Sequence, residues 1–398
     1  MMSMDGKTNQ KQGMLSILLA FYIDIPAVNS IIITVAPQLA GRIMSTLYLA
    51  CIVMITLLAL VYSLMDHRSV VLNKTALLLI CTIVLAFITT QFVKGKSTLT
   101  VVNFIVFVAF PLISLQMINI DKKLFIKALM VIPSIGILWV NKLFLIDTNN
   151  YISMGTSYAF LASVLASLVY MVLLFKFEQA KLKLFYFAVV CVNVVYFIYL
   201  LLYGSRGPIL SVVLCVLFNG CFRYNSENQI IEKRGVRILL LCVGILIVSI
   251  NFTNILSFIN GFLLKNNISI ALIEKTLRIL PTGGGIMNGR NEIITTAAEG
   301  ILNSPIWGHG MSLFQYNTGI NYPHNFLLQF LYDGGIILFL LILMPMILRI
   351  MRLWKNCTYD NYVMFTYMFF LTIPNAFFSG DIWENGKFWV FVGYLLSF

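Results

Sequence analysis

The chain has 398 residues, 60% of them hydrophobic and only 11% charged, with a net charge of +12. Soluble domains carry about 25% charged residues, and a mean hydropathy of +0.92 leaves too little polar surface to cover a soluble fold of this length. The excess of Lys and Arg lies on no soluble basic module, which excludes a nucleic-acid-binding domain.

Apolar stretches recur from end to end, each long enough to cross a hydrocarbon core of roughly 30 Å as a helix. They predict spans near 14–35, 43–63, 76–93, 99–117, 124–146, 152–175, 184–203, 207–224, 236–253, 326–348, 360–378 and a short last one at 387–398. The expected fold is therefore an all-α integral membrane protein, a polytopic bundle of about 12 transmembrane helices with one long outer loop that contains short helices. The polar start MMSMDGKTNQKQG lacks a cleavage site after a brief apolar run, so no removable signal peptide is expected.

Basic residues beside short loops set the orientation. With the N-terminus in the cytoplasm, Lys7, Lys11, Lys122, Lys123, Lys127, Arg223, Lys233, Arg234, Arg349, Arg352 and Lys355 all fall on the cytoplasmic side, and the short outer loops hold far fewer. Both termini are then cytoplasmic, and the net charge is mostly a topology signal. The seven cysteines lie in spans or at cytoplasmic ends, with no CxxC or Cys/His metal spacing.

Three segments follow from this layout: an N-terminal bundle over 1–253, a long outer loop over 254–325, and C-terminal helices over 326–398. Inside the loop, residues 254–280 read as an interfacial helix, which Pro281 and Gly283–Gly285 break. "NGRNEIITTAAEGILN" (288–303) has helical apolar spacing and a cap at Asn288 or Asn291. Ser304-Pro305 ends it, and "WGHG" (307–310) is a turn. The glycines of "PTGGGIMNGRNEI" form no nucleotide loop, because neither GK[ST] nor a preceding strand is present.

A few polar residues stand out. Arg206, in "GSRGP", reads either as an interfacial snorkelling arginine or as a two-point phosphate ligand. Arg290, at a helix start where free N–H groups favour an anion, is either an anion site or a solvated loop residue. His324 sits at the entrance of a span beside Asn325, and its imidazole can exchange a proton at neutral pH or serve the structure alone. His67 reads as solvated, and His309 as a residue holding backbone groups of its turn together. Asp24, an acid within the first span, is a functional candidate or a helix–helix hydrogen bond at the Pro26 kink. Asp333 is a weaker case of the same kind.

Taken in order, "GSRGP" opening a span, an outer loop with "GR" before a helix, "SPIWGHG", and "HN" before "FLLQFLYDGGIILFL" resemble the O-antigen polymerase and O-antigen ligase superfamily of bacterial envelope glycosyltransferases. The resemblance covers roughly 200–345 by motif. It implies an enzyme of the bacterial inner membrane, working at the periplasmic face, that takes a glycan from an undecaprenyl-diphosphate carrier and joins it to a sugar hydroxyl. Carried over by position, it implies that His324 and Arg290 are catalytic and that Arg206, Arg290 and Arg278 bind the diphosphate. Asp24, Asn325 and His309 support them. No cofactor and no metal are expected, the arginines replacing a divalent ion. Lipid is a partner, a chain-length regulator and a flippase are possible ones, and nucleic acid is not. Idiosyncratic loop and terminal regions favour polymerase over ligase. A transporter or flippase would need charged residues lining the midplane, and the spans supply few: Asp24, Asn103, Asn193 and Asp333. A metal-dependent acid in the first outer loop is disfavoured, because "PQLAGR" (37–42) contains none.

Overall fold

The computed structural model describes residues 2–39, 43–66, 74–94, 99–117, 119–144, 154–266, 270, 273–274, 276–277, 290–378 and 380–397. These residues are predominantly helical. The first helix, α1 (Met2–Val35), packs against α2 (Ile43–Asp66), α6 (Lys122–Val131) and α8 (Met154–Val169). Between them come α3 (Lys74–Thr89), the short α4 (Val101–Phe104) and α5 (Phe110–Met117), and α7 (Val140–Leu143). After α8 come α9 (Ala180–Tyr203) and α10 (Arg206–Cys221), then α11 (Gly235–Ile250) and α12 (Phe252–Lys265).

Beyond residue 289 the chain forms α13 (Arg290–Asn303), a single short turn α14 (Phe314–Thr318), α15 (Phe326–Lys355), α16 (Tyr359–Ala376) and α17 (Gly386–Leu396). Among the described residues, six helices are long and apolar enough to cross a membrane: Gln12–Val35, Lys74–Phe92, Lys122–Leu143, Gly155–Phe177, Ala180–Tyr203 and Phe326–Lys355. Shorter apolar helices stand beside them at Ser45–Leu58, Val101–Gln116, Arg206–Cys221, Gly235–Gly244 and Gly386–Leu396. Leu184 and Leu239, among other large apolar side chains, point outward from the bundle, as a lipid-facing surface requires.

Side-chain caps fix the helix starts. Asp121 accepts from the backbone N–H groups of Lys123 and Leu124, Thr358 from Asn361, and Asn325 from Leu327 and Leu328. Each satisfies donors that a helix leaves unpaired at its first turn. The expected cap at Asn291 is not found, because the helix already begins at Arg290; Asn288 lies outside the described residues.

One feature departs from the sequence reading. The span expected over 207–224 ends at Cys221, and Phe222–Asn225 (β1) pairs antiparallel with Ile230–Lys233 (β2), Phe222 opposite Lys233. The Asn225 side chain accepts from the N–H groups of Glu227 and Asn228 to close the turn. The hairpin docks on the link between α15 and α16, where the Cys357 N–H donates to the Gln229 carbonyl at 2.7 Å. Apolar residues at 222, 224, 230 and 231 read like the end of a helix in sequence, and only this docking makes a strand pair worthwhile.

The short last helix is found where the sequence places it. All residues from Phe388 to Leu396 are buried, so α17 is a core helix surrounded by protein rather than one with a lipid-facing stripe. It lies against α5 so closely that a Cβ on Gly393 would stand 2.8 Å from the Pro111 carbonyl oxygen, and Gln116 donates to the Gly393 carbonyl. Gly393→Leu is therefore expected to destabilise the protein by about 1–3 kcal/mol, the cost of overpacking, read as a lower melting temperature in detergent. An unchanged melting temperature would contradict this packing.

Candidate functional site

The site is built around a break in α15. Gly335 takes φ +61° and ψ −164°, a conformation open in practice to glycine alone. A Cβ there would lie 2.2 Å from the Ile306 carbonyl oxygen. Gly308 answers from the other side with φ +66°, where a Cβ would stand 2.5 Å from the backbone of Asp333 and Gly334. The segments "SPIWGHG" and "YDGG" thus meet backbone to backbone. The N–H groups of Ile336, His309 and Gly310 donate to the carbonyls of Pro305, Tyr332 and Asp333 at 2.7–2.9 Å.

His309 belongs to this clamp. Its Nε2 lies 2.8 Å from the Gly300 carbonyl at the end of α13, and its ring stacks on Tyr332 at 4.5 Å. The break frees Asp333 to accept from the Trp383 indole N–H. One turn earlier, Gln329 donates to Asp381 at 2.7 Å and accepts from the Ile382 N–H at 3.0 Å. Ser312 and the Trp383 backbone N–H also donate to Asp381. The loop between α16 and α17 is held in place by these bonds. Burial, the largest influence, pushes the Asp381 carboxyl above the usual carboxylate range, and Glu384 adds to it, against the hydrogen bonds it accepts.

His324 lies between these two loops. It takes φ +56°, an uncommon left-handed conformation for a non-glycine residue, just before the Asn325 cap of α15. Its ring stands 4.3 Å from that of Tyr322. Half-burial lowers the imidazole below its ordinary value of 6.5, and the Arg290 guanidinium at the start of α13 lowers it further, against a hydrogen bond to the Phe378 backbone. Nδ1 has no hydrogen-bond partner among the described residues. In the tautomer assigned by this pattern, Nε2–H donates to Phe378 and Nδ1 carries the lone pair. The ends of α13 and α15 therefore bring Arg290 close enough to act on His324, though they lie more than thirty residues apart in the chain.

Arg206 opens α10. Its neighbour Gly207 lies tight against Tyr158, where a Cβ would meet the phenol oxygen at 2.3 Å, and Ser211 one turn on donates to Asn375 of α16 at 3.3 Å. Helix α10 packs along α16, whose end leads into the Phe378 backbone that holds His324. Asp24 is completely buried in α1, and the charge acting on it is Lys387 of α17, whose Nζ donates to the Tyr158 carbonyl at 3.1 Å. Arg278, His67 and Gly283–Gly285 lie outside the described residues.

Beside these groups opens a cavity of about 600 Å³, lined by Tyr22, Tyr158, Tyr322, Asn375, Asp381 and Lys387 among others. The sequence reading passed over Asp381, Glu384 and Lys387. Their signal was present: "GDIWENGK" places three charges in one short link between apolar stretches.

An arginine acting on a half-buried histidine, whose ring contacts the cavity-lining Tyr322, suits transfer onto a hydroxyl with an anionic leaving group. Comparison with known proteins bears on the same segment. Residues 191–343 match the family model Wzy_C, O-antigen ligase. This similarity runs from within α9 to within α15 and takes in Arg206, Arg290, His309, His324 and Asp333. No curated protein matches the chain. The matched family comprises membrane enzymes of the glycosyltransferase kind, and the apolar helices make this chain a membrane protein.

The lowered His324 pKa carries a pH prediction. A group that must be neutral to act as a base loses activity as pH falls through its pKa. The acid limb of the kcat/KM profile is therefore expected below pH 6.5. In Arg290→Gln it should move upward yet stay below 6.5, because burial, the larger cause, remains. A limb above 6.5 in the unaltered protein would rule His324 out as the titrating base.

Proposed function

We propose that this protein is a polymerase of O-antigen or a related surface polysaccharide. It transfers a glycan from an undecaprenyl-diphosphate carrier to a sugar hydroxyl of a carrier-linked repeat unit. The observation that carries the reading is the pairing of Arg290 with His324 inside the matched segment. In the proposed step His324 Nδ1 takes the proton from the attacking hydroxyl. The hydroxyl oxygen forms the new bond to the anomeric carbon as the bond to the carrier phosphate breaks, inverting that carbon. Arg290 and Arg206, with Arg278, stabilise the diphosphate as its charge develops. The arginines supply the positive charge, so the step needs no metal ion.

The proposed setting is the periplasmic face of a bacterial inner membrane, with about twelve passages and both termini cytoplasmic. A flippase that delivers the carrier and a chain-length regulator are the proposed partners. The second reading is a ligase that moves the polymer to lipid A–core, and the family match supports it equally.

A deletion strain separates the two. Loss of a polymerase is expected to leave lipopolysaccharide with a single repeat unit. Loss of a ligase would leave bare core, with polymer retained on the carrier. Unchanged surface glycan would sink both readings.

A further inference from the structure

The proposed function gives the arginines a phosphate, and no arginine is among the described residues that line the 600 Å³ cavity. Its size falls within the roughly 300–1,000 Å³ of small-ligand sites, and its chemistry differs from that of the arginine side. One wall is aromatic. Tyr22 and Tyr48 meet edge to face at 5.2 Å, and Tyr48 and Phe107 do the same at 5.1 Å. Gln315 and Asn321, hydrogen-bonded to each other at 3.1 Å, stand exposed where it opens.

Its charges do not suit a diphosphate. Lys387 is the single Lys or Arg among the described lining residues, and its Nζ donates to the Tyr158 carbonyl. Asp381 and Glu384 are the acids among those residues, the latter accepting from Asn103 at 2.9 Å. A concentrated anion would be repelled or at best ignored here. A pyranose has the matching surface: its C–H face is apolar and lies well on aromatic rings, while its rim of hydroxyls pairs with amides and carboxyls. Tyr322 both lines the cavity and touches His324, so a sugar bound there has its hydroxyl rim beside the base.

We propose that this cavity is a glycan subsite that holds uncharged pyranose rings of the repeat unit, apart from the arginines that hold the carrier diphosphate. The inference rests on the glycosyl-transfer reading. Gly155 offers a direct test. It lines the cavity near the start of α8, and a Cβ on it would meet nothing within 4 Å, so a larger side chain enters empty space without displacing the fold.

The full-length protein in detergent would be titrated with two probes: the repeat-unit oligosaccharide freed from its carrier, and farnesyl diphosphate. Gly155→Trp is expected to weaken the oligosaccharide by about tenfold or more and leave farnesyl diphosphate unchanged; Gly155→Ala should bind both normally. Arg206→Ala and Arg290→Ala should show the opposite pattern. Equal oligosaccharide binding by Gly155→Trp, or no oligosaccharide binding by the unaltered protein, would overturn the subsite. A farnesyl-diphosphate-linked repeat unit identifies which sugar is held: weaker binding to Gly155→Trp marks the donor glycan, unchanged binding the acceptor. Failure of the underlying reading looks different, with farnesyl diphosphate indifferent to both arginines and normal glycan in the deletion strain.

Discussion

His324→Ala is expected to lower glycosyl transfer by about 10²- to 10⁴-fold, the range for a positioned acid–base group, while the protein still inserts and melts only slightly lower, since alanine tolerates φ +56° less well. The residue sits in a loop, and its side chain makes one hydrogen bond, to the Phe378 backbone, so its removal takes little from the packing. The chemistry loses more. Without Nδ1 the proposed acceptor of the hydroxyl proton is gone as the new bond forms. His324→Asn keeps a residue tolerant of the left-handed backbone and still lacks a base, so it should match the alanine variant in activity. Recovery of activity by Asn would show that His324 only orients the substrate. Arg290→Ala is expected to be similarly inactive, through loss of charge opposite the leaving phosphate. Chain-length analysis of the surface glycan in a complemented deletion strain reads all three variants.

Gly335→Ala is expected to destabilise the protein by about 3 kcal/mol or more, the backbone strain and the steric clash adding together. The residue holds a φ/ψ pair that alanine avoids, and its missing Cβ is the space into which the Ile306 carbonyl fits. The opposing atoms are backbone, fixed by the Ile336-to-Pro305 hydrogen bond, so neither side can give. The effect should reach the site, since this break sets Asp333 on Trp383 and Gln329 on Asp381. Thermal unfolding in detergent would show the loss, and hydrogen exchange should rise first over 304–310. A variant with unchanged melting and exchange would mean that the two segments are not docked backbone to backbone.

The sequence made some of this legible. Runs such as Ala180–Tyr203 are apolar over the length a bilayer demands, and no soluble alternative could bury them. Arg290 could be placed at a helix start and His324 at a helix entrance because caps and breakers act over three or four residues. The hairpin at 222–233 was not legible. Its apolar residues fit the end of a helix as well as a strand, and the choice depends on a hydrogen bond from Cys357, more than a hundred residues away. Lys387 and Asp381 were also missed, because a cluster of charges in a short link is normally just solvated. Only the electrostatic contact of Asp24 with Lys387 and the hydrogen bond from Gln329 to Asp381 give them work.

Composition and local pattern therefore determined the membrane class, the helices and the residue types able to handle a lipid-linked diphosphate. These depend on transfer from water and on interactions a few residues apart. The tertiary structure alone decided that α13 brings Arg290 to His324, that α17 is buried, and that a tyrosine-walled cavity opens beside them. Those outcomes arise from close backbone approaches at Gly308, Gly335 and Gly393, between segments far apart in the chain, where packing is specified only once the whole bundle has formed.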